Sequence, residues 1–152
     1  MKNQFKIVSE KEFNSFSDYP ILFQDKGIFN RSFGLLLSHK QSYRIAWHSD
    51  TINPLIQELN TNICSVGIDQ NFAIIDFDKI KVILNLKLSY NFFTVKVIRE
   101  RIFVVTELEI IELNNNDFQV VCHYDLPEIF EQMNINGESI DVLCMEDVKI
   151  II

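Results

Sequence analysis

The chain has 152 residues, 47% hydrophobic and 23% charged, with four Gly and three Pro. That is the size of a single domain, 1–152, and it excludes a disordered or low-complexity chain. The net charge of −7 and the lack of any long uncharged apolar run exclude a membrane-spanning helix from the expected elements.

In chain order, Phe5 to Val8 reads as a short strand. Ser9 with Glu12 three residues on resembles a capping box, and Phe13 and Phe16 support one or two helical turns up to Asp18-Tyr19-Pro20. Ile21-Leu22-Phe23 is a strand closed by Asp25-Lys26-Gly27. Phe33 to Ser38 and Tyr43 to His48 form a hairpin about His39-Lys40-Gln41-Ser42. Pro54 suits the first turn of a helix, with Leu55, Ile56 and Leu59 facing inward. Residues 1–60 thus form an irregular N-terminal part containing one hairpin. From residue 61 the strands come in hairpins: Ile63 to Ile68 with Phe72 to Phe77, then Asn91 to Ile98, Arg101 to Thr106 and Leu108 to Leu113. Asn114 to Asp117 is the clearest turn. Pro127 to Met133 reads as a short helix. Asn136-Gly137 turns the chain into Ile140 to Cys144, and Val148 to Ile152 is the last strand.

Two stretches organise this half. Ile80 to Leu88 alternates apolar and polar residues as a half-buried strand does, with Ile83 as the exception. Phe118 to Leu126 repeats that pattern at an offset of 38 residues, counted from 80 to 118, and Ile83 meets Val121. Strand, strand, turn, strand at this period resembles the four-stranded antiparallel blade of β-propellers of the WD-repeat or kelch type. The resemblance covers residues 61–152 and is one of shape: the Gly-His and Trp-Asp pairing and the double glycine are absent. The expected fold is mainly β. Antiparallel meanders and hairpins form blade-like sheets, as a sandwich or an incomplete propeller, with one to three short helices.

No constellation points to catalysis, a metal or another cofactor. His48-Ser49-Asp50 holds three catalytic residue types as sequence neighbours, which rarely converge in space. Cys122 and His123 are adjacent on a strand and point to opposite faces. His39 sits in a loop without a partner at metal spacing. Asp76 and Asp78 flank a turn. Cys64, Cys122 and Cys144 lack disulfide or zinc spacing and read as reduced core residues, which places the protein in the cytoplasm. Tyr90, Phe92 and Phe93 lie among bases, as in sheets that bind RNA.

Charge is the feature that bears on function. Residues 1–50 carry seven bases and five acids, residues 51–100 five of each, and residues 101–152 two bases against eleven acids, a net of −9. Such a surface repels phosphate backbones and attracts basic proteins. Neither nucleic acid nor membrane is therefore expected as a partner. The expected function is a non-catalytic interaction domain, monomeric, whose acidic face docks a basic protein. A concrete version is an immunity protein neutralising a toxin such as a nuclease. Glu107, Glu109, Glu112, Asp117, Glu128 and Glu131 are the expected partner-binding residues. The alternative is a propeller-like module that senses a ligand or assembles with itself.

Overall fold

A computed structural model describes residues 3–25 and 30–152. The chain forms two compact units, Met1–Lys87 and Leu88–Ile152. The sheet order places two sheets in each. Lys26 and Gly27 of the expected turn lie outside the described residues.

In the first unit, β1 (Gln4–Val8), β3 (Ser32–Leu37), β4 (Tyr43–Trp47) and β2 (Ile21–Phe23) lie side by side in that order. All pairs are antiparallel except β2 with β4. Between β1 and β2 runs helix α1 (Glu10–Ser15). Ser9 caps it as expected, its Oγ accepting from the Glu12 amide at 3.1 Å. The Glu12 carboxylate completes an ion pair with Lys6 at 2.7 Å rather than the capping box. The second sheet is a meander of β5 (Leu55–Asn60), β6 (Ile63–Ile68), β7 (Asn71–Asp76) and β8 (Lys81–Lys87). Leu36, Ile45, Trp47, Val66, Ala73 and Ile75 are the fully buried members of one core cluster.

The second unit repeats the meander as β9 (Phe92–Ile98), β10 (Arg101–Thr106), β11 (Glu109–Asn114) and β12 (Val120–Asp125). A three-stranded sheet follows: β13 (Phe130–Asn136), β14 (Ser139–Cys144) and β15 (Lys149–Ile151). Phe103, Val105, Ile110, Ile140 and Val142 centre its core. The fold is mainly β and largely antiparallel, with one α-helix and one short 3-10 turn among the described residues, as the alternation implied.

Two expected helices are strands. Leu55 to Leu59 belongs to β5, paired with β6, and the Pro127 to Met133 stretch enters β13, paired with β14. Two turns or fewer cannot nucleate a helix on their own, so the neighbouring strand decides. The repeat therefore begins at Leu55, inside the first unit.

The 38-residue offset survives in backbone detail. Ile75 pairs with Val82 and Ile74 with Leu84, leaving Ile83 as the extra residue of a bulge. Glu112 pairs with Cys122 and Leu113 with Val120, which leaves Val121 in the same place. The residue that broke the alternation is thus the bulged one in both copies. Ile80 and Phe118, also matched, both take left-handed angles, φ 54 and φ 59, just before the strand. A β-branched residue there is strained, and Ile80 is 51% exposed, so its side chain contributes little burial. Ile80→Gly is expected to raise stability by about 1 kcal/mol, read as a higher denaturant midpoint with an unchanged slope.

Candidate functional site

In the β9 to β12 meander the turns alternate between two ends. The start of β9, the Glu107-Leu108 turn and the exit of β12 share one end. Backbone bonds draw the next sheet to it. Glu107 donates its amide to the Asn91 carbonyl at 3.1 Å, Leu126 to Leu108 at 2.9 Å, Phe130 to Glu107 at 2.9 Å, and Met145 to Ile129 at 2.8 Å. This end therefore collects Glu107, Asp125, Glu128, Glu131, Glu146 and Asp147. Among the described residues no Lys or Arg pairs with any of them. The unit holds only four such bases against twelve acids, a net of −8. Arg99 and Arg101 stand at the opposite end, and Lys149 is held by Asp141 at 2.8 Å.

Within the acidic end, Ile129 and Met145 are 41% and 45% exposed. An apolar centre with a charged rim is the usual anatomy of a docking patch. Glu146 and Asp147 form the β14–β15 turn with φ 59 and 57. Two consecutive left-handed carboxylates cost on the order of 1 kcal/mol each where Asn-Gly would be relaxed. Burial pushes the Cys144 thiol up; a backbone bond from Glu128 opposes this, and the Glu128 and Glu131 carboxylates add to it. The Met145–Ile129 backbone bond places the start of the β13 segment beside the end of β14.

The six expected docking residues divide. Glu107, Glu128 and Glu131 lie in this end, and the Glu107 carboxylate accepts from the Asn91 side-chain amide at 3.3 Å. Asp117 is exposed in the turn at the opposite end, its Oδ1 accepting from the Gln119 amide at 3.1 Å. Glu109 and Glu112 are buried. Glu112 takes a two-pronged pair from Arg101, Nε at 2.6 Å and Nη2 at 2.9 Å, and a third bond from the Tyr124 hydroxyl at 2.7 Å. The Arg101 guanidinium also lies over the Phe103 ring, 4.9 Å from its centre. Glu109 has the Nδ1 of His123 at 2.6 Å. These two acids tie β11 to its neighbouring strands.

The electrostatics of these ties follow from the contacts. The Arg101 bond, with the Tyr124 hydroxyl adding to it, holds the Glu112 carboxyl below its ordinary range against the opposing effect of burial. The Tyr124 phenol, bonded to Glu112 and partly desolvated, is pushed up to about 12.

The remaining sequence candidates serve structure. The amides of His48 and Ser49 donate to Asp69 at 2.7 and 3.2 Å, and Ser49 Oγ accepts from Ile52 at 3.0 Å. His48-Ser49-Asp50 is therefore a strand end, not a triad. Asp76 caps its turn through the amides of Asp78 and Lys79 at 2.9 and 3.0 Å. Asp78 is paired with Lys40 at 2.6 Å and Asn62 at 2.8 Å, and these bonds lower its pKa. His39 is exposed. The Phe93 ring sits edge-on to Phe130 with centroids 5.6 Å apart. The three cysteines are free, and Cys64 and Cys144 are buried. Among the described residues no group of three or more His, Cys, Asp or Glu could hold a metal ion, and no helix is long and apolar enough to cross a membrane.

No protein-family model matches the chain, and no curated protein does. Among the solved structures that match the chain are the following two. Hsv2 of Kluyveromyces lactis is 18% identical with a TM-score of 0.39, over 65% of this chain and 33% of that one. The N-terminal domain of Nup159 is 12% identical with a TM-score of 0.44, over 97% of this chain and 46% of that one. This chain thus spans less than half the length of either.

Proposed function

We propose that this chain is a non-catalytic, cytoplasmic protein-interaction module whose second unit docks a basic protein through its acidic turn end. The observation that carries the reading is the gathering of six acids at the end that holds Ile129 and Met145, with no base among the described residues paired to any of them. Unpaired carboxylates at one end of a small unit steer a positive partner and orient it before contact. The exposed aliphatic pair then gives the encounter something to bury. An immunity protein that covers the cleft of a basic toxin, a nuclease for instance, is the concrete form we favour, with the free protein a monomer.

The test is charge reversal at turn positions whose side chains carry no fold. Glu128→Lys, Glu146→Lys and Asp147→Lys together are expected to slow association with a basic protein captured on the immobilised wild-type chain by about tenfold or more. Asp117→Lys with Glu138→Lys, at the opposite end, is expected to leave the rate nearly unchanged. Equal slowing by both sets would reduce the effect to net charge, and no slowing by either would remove the docking end.

A further inference from the structure

Two strands carry a bulge at the acidic end of the second unit, and each bulge changes what is left exposed. In β9, Val97 pairs with Ile102 and Val95 with Val104, while Lys96 and Thr94 pair with Phe103 and Val105. Phe92 then pairs with Thr106, which leaves Phe93 as the extra residue. In a regular strand Phe93 would share the face of Val95 and Val97. The bulge turns it to the other face. There its ring meets Phe130, a member of the core of Phe103 and Val105, with centroids 5.6 Å apart and planes at 61°. In β13, Met133 pairs with Val142 of that core, so unbroken alternation would carry Glu131 inward as well. The pairing instead skips from Gln132 to Phe130 and leaves Glu131 as the extra residue. Phe130 is buried in the core, and Glu131 is exposed. Beside one buried residue, Phe130, the two bulges thus leave a phenyl ring 56% exposed and an exposed carboxylate. Among the described residues no cation lies over Phe93 and no base pairs with Glu131.

We infer that Phe93 and Glu131 read an arginine of the docked protein, its guanidinium flat on the ring and its N–H fork on the carboxylate. The face of a ring attracts a cation, and the planar, weakly hydrated guanidinium lies on it more readily than the compact ammonium of lysine. The same planar group offers two parallel donors to one carboxylate. This chain joins the two contacts once within its own fold. Phe103 and Glu112 stand opposite each other on β10 and β11, and Arg101 lies over the ring while forking onto the carboxylate. In the first unit, Arg44 lies over Phe13, 5.1 Å from the ring centre. Charge at this end makes the occupant a base; the exposed ring decides which base. The inference rests on the docking function proposed above and adds the residue type that is recognised.

The probe is a capped peptide of lysine and glycine whose central base is either arginine or lysine, so that both forms carry the same charge. The full chain is expected to bind the arginine form about tenfold more tightly. The arginine side-chain protons should move upfield in the proton spectrum, as the face of a ring requires. Phe93→Leu keeps an apolar contact on Phe130 and removes the ring face. It is expected to bring the two forms to within about twofold of each other and to abolish the upfield shift. Glu131→Gln is expected to narrow the preference while keeping the shift. Equal affinities in the wild type, or a preference that survives Phe93→Leu, would overturn the inference. If the affinities are equal and reversal at Glu128, Glu146 and Asp147 weakens both forms, Phe93 falls and the docking end stands. If neither form binds, both fall. A preference lost in Phe93→Leu but untouched by those reversals keeps Phe93 and removes the steering end.

Discussion

Replacing Trp47 by alanine is expected to cost the first unit about 4 kcal/mol. The indole is 1% exposed. It lies 6.0 Å from the Phe5 ring of β1, and its Nε1 donates to the Ile52 carbonyl at 2.8 Å. It therefore ties the edge strand, the sheet centre and the loop leading to β5. Alanine removes the largest fully buried side chain and leaves a cavity that three different segments would have to collapse into. A unit of this size holds roughly 4–13 kcal/mol in all, so the loss takes a third of that stability or more. Trp47→Phe keeps most of the ring but orphans the Ile52 carbonyl, and about 1–2 kcal/mol is expected. Guanidinium unfolding followed by circular dichroism reads both. A loss under about 1 kcal/mol for the alanine variant would show that this packing does not hold the unit together.

Arg101→Met is expected to cost about 2 kcal/mol. Breaking a fully buried pair costs roughly 3–5 kcal/mol, and the Arg101 side chain is 37% exposed against 10% for Glu112, so solvent screening lowers the figure. Methionine retains the cover over Phe103 but leaves the Glu112 carboxylate with Tyr124 alone. The pH dependence separates charge from packing. Glu112 is held below its ordinary value of 4.5. Its contribution is therefore full above that pH and disappears as pH falls through the lower folded value. The gap between wild type and variant should shrink below about pH 4 and stay constant above about 5. The alkaline side runs the other way. Tyr124, raised to about 12, contributes fully below pH 10 and loses that contribution as pH rises through 12. Ultraviolet titration of the variant should show that tyrosine ionising no earlier than in the wild type, because the cation that favours its phenolate is gone while the Glu112 carboxylate remains. A gap that does not change with acid would assign the loss to packing instead.

Much of the fold is legible in the order of residues. Lys81 to Lys87 and Val120 to Asp125 alternate clearly enough to be read as strands, and even their irregularity has meaning, because Ile83 and Val121 are bulged. Leu55 to Leu59 and Pro127 to Met133 mislead because a few apolar residues over five to seven positions fit either period; the partner strand, not the local pattern, settles them. Ile80 reads as strand from its type, yet the turn that begins at Asp76 ends on it. The candidate site was only partly visible. Glu109 and Glu112 look like surface acids until register brings His123, Arg101 and Tyr124 alongside. Asp125, Glu146 and Asp147 lie up to 22 residues apart in the chain. Only the topology puts their turns at one end, the end that holds an Ile129 and a Met145 that sequence gave no reason to single out.

The most direct measurement of the docking end is the association rate of the captured partner as ionic strength rises from about 0.05 M to 1 M, where the screening length shrinks from about 14 Å to 3 Å. Steering by unpaired Glu107, Asp125, Glu128, Glu131, Glu146 and Asp147 predicts a steep fall in that rate, and a much flatter line for the Glu128, Glu146 and Asp147 reversals. A rate that is the same at both salt limits, in wild type and variant alike, would contradict it.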